Sequence, residues 1–283
     1  MLECVSICFL TQFDGIIGTN NKGRWERVLT LDGTQIVSTV FPDGTKQIWK
    51  LNEELLTPAL PYPESPAHIK WAYENDGELI ELAQLKVLLD SLHRKTKLEI
   101  EYLPYARQDK QVSNDATFGL YPFALLLNTM KFDDIVILDT HSPSAIQAIV
   151  GARTYYPTLL VEQVILDNGI DILCFPDHGA QEKYAKMYTG MPSVFANKIR
   201  EQSTGIILET KLNGSVEGQR VLIIDDICDG GATFTSLAKV LKENGATYVG
   251  LYVTHGIFSK GIQVLLDAGI DKVSYTHRQG EIK

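Results

Sequence analysis

The chain has 283 residues, 45% of them apolar, and 26 Lys and Arg against 35 Asp and Glu give it a formal charge of −9. This length and apolar content predict two compact units rather than one. The negative charge excludes a surface that coats nucleic acid, so a site for a phosphorylated ligand must gather cations locally or recruit metal ions such as Mg²⁺.

The cysteines and the N-terminus bear on the compartment. Cys4, Cys8, Cys174 and Cys228 form no CxxC pair and no framework of a small secreted domain, which predicts reduced thiols. The N-terminus lacks the basic region of a signal peptide, and no run approaches the roughly twenty apolar residues of a membrane span. We therefore expect a cytoplasmic protein with no membrane partner.

In chain order, the first sixty residues are broken by glycines into pieces typical of strands and turns, and the four prolines in 57–66 predict a surface loop. Helical and strand signals then alternate, which predicts an α/β sheet with helices on its faces. Leucines at helical spacing predict a helix over 76–94. Strands at 97–103 and 134–138 on either side of a helix within 117–130 form a βαβ unit.

The same alternation restarts in the second half of the chain. Apolar strands are predicted at 171–175 and 220–224, each followed by a polar loop that contains glycine and by a helical stretch. A helix over 233–243, a strand over 247–253 and a helix over 260–268 follow. Pro143, Gly151 and Pro157 separate the two series, so we predict domains at 1–150 and 151–283.

The strongest local signal is VLIIDDICDGGATF, Val221 to Phe234. A buried strand leads into two adjacent acids, a loop of small residues and the start of a helix. Gly230 and Gly231 allow backbone amides to converge on an anion at the helix N-terminus, and Thr233 can cap that helix or donate its hydroxyl. Adjacent acids or glycines alone are often only solvated loop residues, but the complete arrangement predicts a phosphate site.

This segment resembles the phosphoribosyl-diphosphate binding motif of type I phosphoribosyltransferases and of ribose-phosphate diphosphokinases. Four further segments are similar to diphosphokinase motifs in the diphosphokinase order: Tyr102–Lys110, Leu138–Ser142, Pro176–Ala180 and Thr254–Ser259. Phosphoribosyltransferases lack the first of these. The resemblance therefore favours the ribose-phosphate diphosphokinase family, and it implies an α/β fold of two tandem type I phosphoribosyltransferase-like domains with mainly parallel sheets flanked by helices.

The resemblance also implies an activity: Mg²⁺-dependent transfer of the β,γ-diphosphate of ATP to the C1 hydroxyl of ribose 5-phosphate in a homo-oligomer. Phe41 to Thr45 match the family's ATP-binding loop, with Thr45 in place of the expected glutamate. Arg107 and Gln108 correspond to further ATP contacts, and Arg107 could offset charge on the departing AMP. The implied ATP-binding residues are Phe41, Asp43, Thr45, Arg107, Gln108 and His141.

The remaining implied residues handle the acceptor, the metal and the transferred group. Asp225 and Asp226 are expected to hold the ribose hydroxyls, and His141 and Asp177 to bind Mg²⁺. Lys198 and Arg200 match the pair of cations on the family's mobile catalytic loop, here 198–205, and act there together with His141. The loop expected to bind the ribose phosphate consists of Asp229, Gly230, Gly231, Ala232 and Thr233.

Departures from the family pattern leave alternatives open. Gly230 stands where a threonine hydroxyl is usual, and Ala232 where glycine is usual, so the acceptor could instead be ADP-ribose, which would point to NAD metabolism. Together with Thr45, the same departures also motivate a non-catalytic diphosphokinase-like regulatory subunit. A phosphoribosyltransferase is the third alternative, and transfer of a phosphoribosyl group to a base without ATP would identify it.

Overall fold

A computed structural model describes residues 29–48, 51, 65–200 and 207–278, with the backbone alone for 198–200 and 207–210. Cys4, Cys8 and most of the surface loop predicted at 57–66 lie outside these ranges. Cys174 and Cys228 are buried and form no disulfide. Among the described helices, none combines the length and the apolar content needed to cross a membrane.

The first half of the described chain forms one mainly parallel sheet and a small hairpin. The strands of this half are β1 (Leu29–Leu31), β2 (Thr34–Gln35), β3 (Ser38–Val40), β4 (Lys46–Ile48), β5 (Ala67–Trp71), β6 (Thr96–Ile100), β7 (Asp134–Leu138) and β8 (Ala152–Tyr155). The sheet order is β2-β1-β5-β6-β7-β8, in which β5 to β8 are parallel, while β3 and β4 form a separate hairpin. The helices of this half are α1 (Glu78–Ser91), α2 (Leu120–Thr129) and α3 (Pro143–Ala148).

The predicted apolar periodicities explain this half. In β5, Ala67, Ile69 and Trp71 alternate inward and are fully buried, as the period of two in a strand requires. The leucines of α1 recur at helical spacing, and Leu82, Leu85 and Leu89 are fully buried against the sheet. Four consecutive residues of β7 are buried because helices cover both faces of a parallel sheet.

The second half repeats the architecture. Its strands are β9 (Ile172–Phe175), β10 (Ser193–Arg200), β11 (Ile207–Leu212), β12 (Arg220–Cys228), β13 (Tyr248–Gly256) and β14 (Lys272–Arg278), in the order β11-β10-β9-β12-β13-β14. All neighbours are parallel except β10 and β11. The helices are α4 (Thr158–Asp167), α5 (His178–Tyr184), α6 (Ala232–Glu243) and α7 (Gln263–Asp267). The predicted α/β class is confirmed.

The first sheet extends to Tyr155 and the second begins at Ile172. The predicted domain boundary after residue 150 stays a prediction. One predicted strand end differs from the structure. Strand β12 does not end at Ile224 but continues through both acids to Cys228, because pairing with β13 continues as far as Gly256.

Candidate active site

The carboxyl ends of β7, β9 and β12 open into a shared cavity of about 1040 Å³ between the two sheets. This is the edge at which parallel α/β sheets bind ligands. Ten of the residues predicted from the sequence line it: Arg107, His141, Asp177, Asp225, Asp226, Asp229, Gly230, Gly231, Ala232 and Thr233. Residues more than a hundred positions apart are therefore brought to one site.

The two adjacent acids differ in pKa. His141 Nδ1 lies 2.6 Å from Asp226 Oδ2, and Lys183 Nζ lies 3.8 Å from the same oxygen. Burial raises the pKa of Asp226, but the hydrogen bond from His141 and the charge of Lys183 outweigh it and lower that pKa to about 2. Burial, together with the charge of Asp226, raises the pKa of Asp225 well above its ordinary value. Asp226 is therefore the acid that ionises first, and Asp225 keeps its proton to a higher pH.

His141 holds a proton more readily because of the same contact. Its hydrogen bond to Asp226 raises the pKa of the imidazole, against the opposing effect of burial. With Nδ1 engaged by Asp226, Nε2 is the ring nitrogen left to contact a ligand. It can donate to a phosphate oxygen when the ring is protonated and bind a metal ion when the ring is neutral, so the role of His141 at Mg²⁺ stays a prediction.

The segment 229–233 turns from β12 into α6 around a fixed carboxylate. Asp229 accepts hydrogen bonds from Ser259 Oγ at 2.6 Å and from Arg107 Nη1 at 2.9 Å, and these two contacts lower its pKa. Gly231 has φ of +77°, and a Cβ there would lie 2.9 Å from Leu265 Cδ2, so only glycine fits. The first amides of α6 lack partners within the helix, which suits them to an anion.

Below the cavity, a buried network joins the two sheets. Asp139 is fully buried at φ of +42°; Tyr184 Oη donates to its carboxylate at 2.8 Å, and Lys183 Nζ lies 2.7 Å away. Thr254 Oγ1 also donates to Asp139. Lys183 further donates to the carbonyl of Thr140 at 2.9 Å. One lysine therefore connects the first sheet to the ionised acid of the second.

Sequence reasoning missed the role of Lys183. It lies outside every segment that carries the family resemblance. The available signal was its place on α5, the helix that follows Asp177 at the end of β9. A lysine on the helix that follows a sheet edge has a side chain long enough to reach the neighbouring loops.

The predicted ATP loop lies elsewhere. Phe41 and Thr45 line a second cavity of about 810 Å³ beside α1, and Asp43 Oδ1 accepts hydrogen bonds from the Thr45 amide and hydroxyl at 3.0 and 2.7 Å. Gln108 is exposed and is not among the residues that line the main cavity. The structure therefore does not bring these four residues to the main cavity, and their role in ATP binding stays a prediction.

Lys198 and Arg200 require a correction. A loop was predicted from residue 198, but both residues belong to β10, whose backbone pairs Lys198 with Thr210 and Arg200 with Ile207 of β11. The antiparallel pairing with β11 satisfies the backbone groups of this stretch. The side chains of 198–200 and all of 201–206 lie outside the described residues, so the mobility of the segment and the roles of both cations stay predictions.

The described residues of the cavity fit one of the usual ways in which proteins bind Mg²⁺. Among the described residues, no group of three or more His, Cys, Asp or Glu is arranged to hold a metal ion. Mg²⁺ is commonly held by one or two carboxylates together with substrate phosphates, rather than by an all-protein cage. Asp177 lines the cavity and uses Oδ1 to cap α5, accepting from the Ala180 amide at 3.0 Å. Asp177 fits this second mode.

Comparison with known proteins shows similarity across both halves. A family model described as a phosphoribosyl transferase domain matches residues 186–278. The ribose-phosphate pyrophosphokinase of Pyrococcus furiosus is 27% identical over 250 residues, which cover 86% of each chain. That of Mycoplasmopsis pulmonis is 32% identical over 213 residues, 69% of this chain and 64% of the relative.

A solved structure shows the same fold. The phosphoribosylpyrophosphate synthetase from Mycobacterium smegmatis superimposes with a TM-score of 0.69 at 22% identity, covering 85% of this chain and 79% of that one. A phosphoribosyltransferase domain alone would leave the first sheet unexplained, since its model matches only the second half. The pyrophosphokinase relatives align over 84% to 93% of this chain and so across both halves, and the chain therefore belongs to the ribose-phosphate pyrophosphokinase family.

Proposed function

We propose that the protein transfers the β,γ-diphosphate of ATP to the C1 hydroxyl of ribose 5-phosphate, giving 5-phosphoribosyl 1-diphosphate and AMP. The observation that carries this proposal is the shared cavity. It joins His141 and Arg107 from the first half to the acid pair and the 229–233 segment of the second. A diphosphate donor and a phosphorylated sugar can therefore meet between them.

The acceptor is held by the second half. Asp226, whose pKa is lowered, accepts hydrogen bonds from ribose hydroxyls, and Asp225, whose pKa is raised, can accept one or, with its proton, donate one. The amides at the start of α6 hold the 5-phosphate, as helix N-termini do for anions. With both ends fixed, the C1 hydroxyl faces the cavity. Alignment of this kind supplies much of the catalysis in phosphoryl transfer.

The donor side supplies positive charge. The C1 oxygen attacks the β-phosphorus in line, and the bond from that phosphorus to the oxygen of AMP breaks. AMP leaves with that electron pair, and the proton of the C1 hydroxyl passes to solvent. His141, whose pKa is raised, and Arg107 stabilise the negative charge that develops on the diphosphate and on AMP. Lys198 and Arg200, on β10 beside this edge, are proposed to add two further cations.

Mg²⁺ is part of the proposal. When bound, it would neutralise phosphate charge and help to align the two substrates. Asp177 would hold it together with phosphate oxygens, because this carboxylate lines the cavity. His141 Nε2 would either join Asp177 as a ligand or donate a hydrogen bond to a phosphate oxygen.

The test is product analysis. Purified protein with ATP, Mg²⁺ and ribose 5-phosphate should release AMP and 5-phosphoribosyl 1-diphosphate, whereas omission of the sugar should stop AMP release. Formation of ADP in place of AMP, or no reaction with any ribosyl phosphate, would contradict the proposal. Zero turnover together with measurable ATP binding would support the regulatory subunit instead.

ADP-ribose is a second candidate acceptor, favoured by one observation. Gly230 places no side chain of its own at the 5′ end of the site, and the position of its missing Cβ is bordered by the flexible stem of Lys260 at 3.5 Å. The 229–233 segment therefore sets no side chain of position 230 against a bulkier 5′-diphosphate ester. Rates of AMP release with the two acceptors at equal concentrations decide between them. A higher kcat/KM for ADP-ribose would replace the first candidate.

A further inference from the structure

Lys260 borders the space beside Gly230, where this residue has no side chain. A Cβ built on Gly230 would lie 3.5 Å from Lys260 Cε, 3.6 Å from Lys260 Cδ and 3.7 Å from Ser259 Oγ. These are ordinary van der Waals distances. The stem of Lys260 therefore lies alongside the bare backbone of Gly230, and Lys260 lines the cavity.

The charges around the 229–233 segment call for an extra cation. Asp229 is held ionised by Ser259 and Arg107, so the segment carries a negative charge where a phosphate must bind. Arg107 is engaged by that carboxylate at 2.9 Å. Lys260 is close enough to help lower the pKa of Asp229. Among the described side chains, none forms a hydrogen bond or ion pair with the Lys260 ammonium.

We propose that Lys260 binds the 5′ phosphate of the acceptor, in place of the hydroxyl donor that Gly230 cannot supply. The inference rests on the proposed function for the identity of the acceptor, a 5-phosphorylated ribose. It deepens that function by assigning the phosphate's cation to the start of the β13–α7 connection. The ammonium reaches the phosphate from the side that Gly230 leaves bare, while the α6 amides bind from the other.

Direct binding tests this assignment without relying on turnover. Calorimetry with ribose 5-phosphate, ADP-ribose and unphosphorylated ribose would be run on the full chain and on Lys260→Met, which keeps the stem and removes the charge. We expect roughly a tenfold loss of affinity for whichever 5-phosphorylated ribose binds, with ATP binding unchanged. Lys260→Arg should restore most of the affinity. Any weak ribose binding should be unaffected.

A matched control removes the effect of net charge. Lys239 is exposed on α6 and is not among the residues that line the cavity, so Lys239→Met makes the same charge change and should leave acceptor affinity unaltered. Equal affinities in Lys260→Met and the unchanged protein, equal losses in both variants, or no binding of either phosphorylated ribose would overturn the inference. If the acceptor binds and depends on Lys260 but no AMP forms, the proposed reaction fails while the Lys260 site stands.

Discussion

At the residue scale, the acid pair shows how neighbouring identical side chains acquire different states. Asp225 and Asp226 lie next to each other on β12, and two charges there would repel strongly. Among the described residues, His141 and Lys183 lie beside the Asp226 carboxylate. The pKa of Asp226 is therefore lowered, and that of Asp225 is raised. The sequence reveals the pair but not this division, which depends on residues 43 and 85 positions away.

The first prediction concerns the charge of His141. Asp226→Asn removes the carboxylate that raises the pKa of this imidazole, leaving burial and the charges of Lys183 and Arg107, all of which lower it. The pKa of His141 should therefore fall from above its ordinary value of 6.5 to below that value. Titration of the imidazole proton resonances by NMR between pH 5 and 9 measures it.

Asp225→Asn is the matched control for this titration. It makes the same carboxyl-to-amide change at the adjacent acid, and the contacts that set the pKa of His141 do not include Asp225. The pKa of His141 should remain raised in that variant. Equal pKa values in the two variants would show that Asp226 does not control the imidazole.

At the element scale, sequence reasoning succeeds where local pattern and tertiary structure agree. The strand, acid pair, glycine turn and helix of 220–243 follow from apolar periodicity and from the need for glycine at the positive φ of Gly231. Strand β7 matches its predicted limits, Asp134 to Leu138. Short apolar β-branched runs bounded by loops leave little choice of structure.

The same reasoning fails for β10. The run from Lys198 is charged and ends in Ser-Thr-Gly, which is typical of a loop. What makes it a strand is pairing with β11, a segment that carries no strong signal of its own. Neither segment has a clear apolar pattern, so their pairing depends on tertiary contacts. It cannot be predicted from the sequence of either segment alone. The hydrogen-bond network around Asp139 was not predicted for the same reason, since the partners of Asp139 come from α5 and β13.

The second prediction concerns the paired strands β10 and β11. If Lys198 stabilises charge that develops only in the transition state, Lys198→Ala should lower kcat by roughly a hundredfold or more while ATP affinity changes little. Arg200→Ala should behave similarly, with some weakening of acceptor binding. Steady-state kinetics and nucleotide calorimetry give the two quantities. Lys211→Ala, a charge change on β11 of the same hairpin, serves as the control. Near-normal turnover in both variants would place the catalytic cations elsewhere.

At the scale of the whole molecule, buried polar contacts tie the two sheets together. The third prediction is that Lys183→Met lowers the free energy of unfolding by about 3 kcal/mol, because it leaves the buried Asp139 carboxylate without its cation. Urea denaturation measures the change. Lys186→Met, three residues along the chain at an exposed position, should change it by less than about 0.5 kcal/mol. Equal effects of the two variants would show that the Lys183 contact contributes nothing.

The same interface contains two histidines that stay neutral. His255 Nε2 lies 3.1 Å from the Leu138 carbonyl of the first sheet, and Tyr102 packs against both His255 and His277. Burial lowers the pKa of His255 to about 4, and burial with the charge of Lys70 lowers that of His277 to about 4. In the unfolded chain both titrate near 6.5, so acidification protonates the unfolded state first.

The fourth prediction is that the contribution of these two histidines to stability is lost as pH falls between about 6.5 and 4. Both folded pKa values are depressed, so their contribution is present above pH 6.5 and is lost as pH decreases towards 4. Each histidine should account for about 2 kcal/mol between pH 7 and pH 5. The raised pKa values of His141, Asp225 and Glu78 act in the opposite direction, and the lowered pKa of Asp226 acts only below about pH 4, so the contribution of a histidine is read from the difference between variants. Urea denaturation at pH 7, 6 and 5 gives the slope. The His277→Phe variant keeps a ring beside Tyr102 that cannot titrate. Its free energy of unfolding should therefore decrease by about 2 kcal/mol less over this pH range. An unchanged slope would show that His277 is protonated without cost in the folded protein.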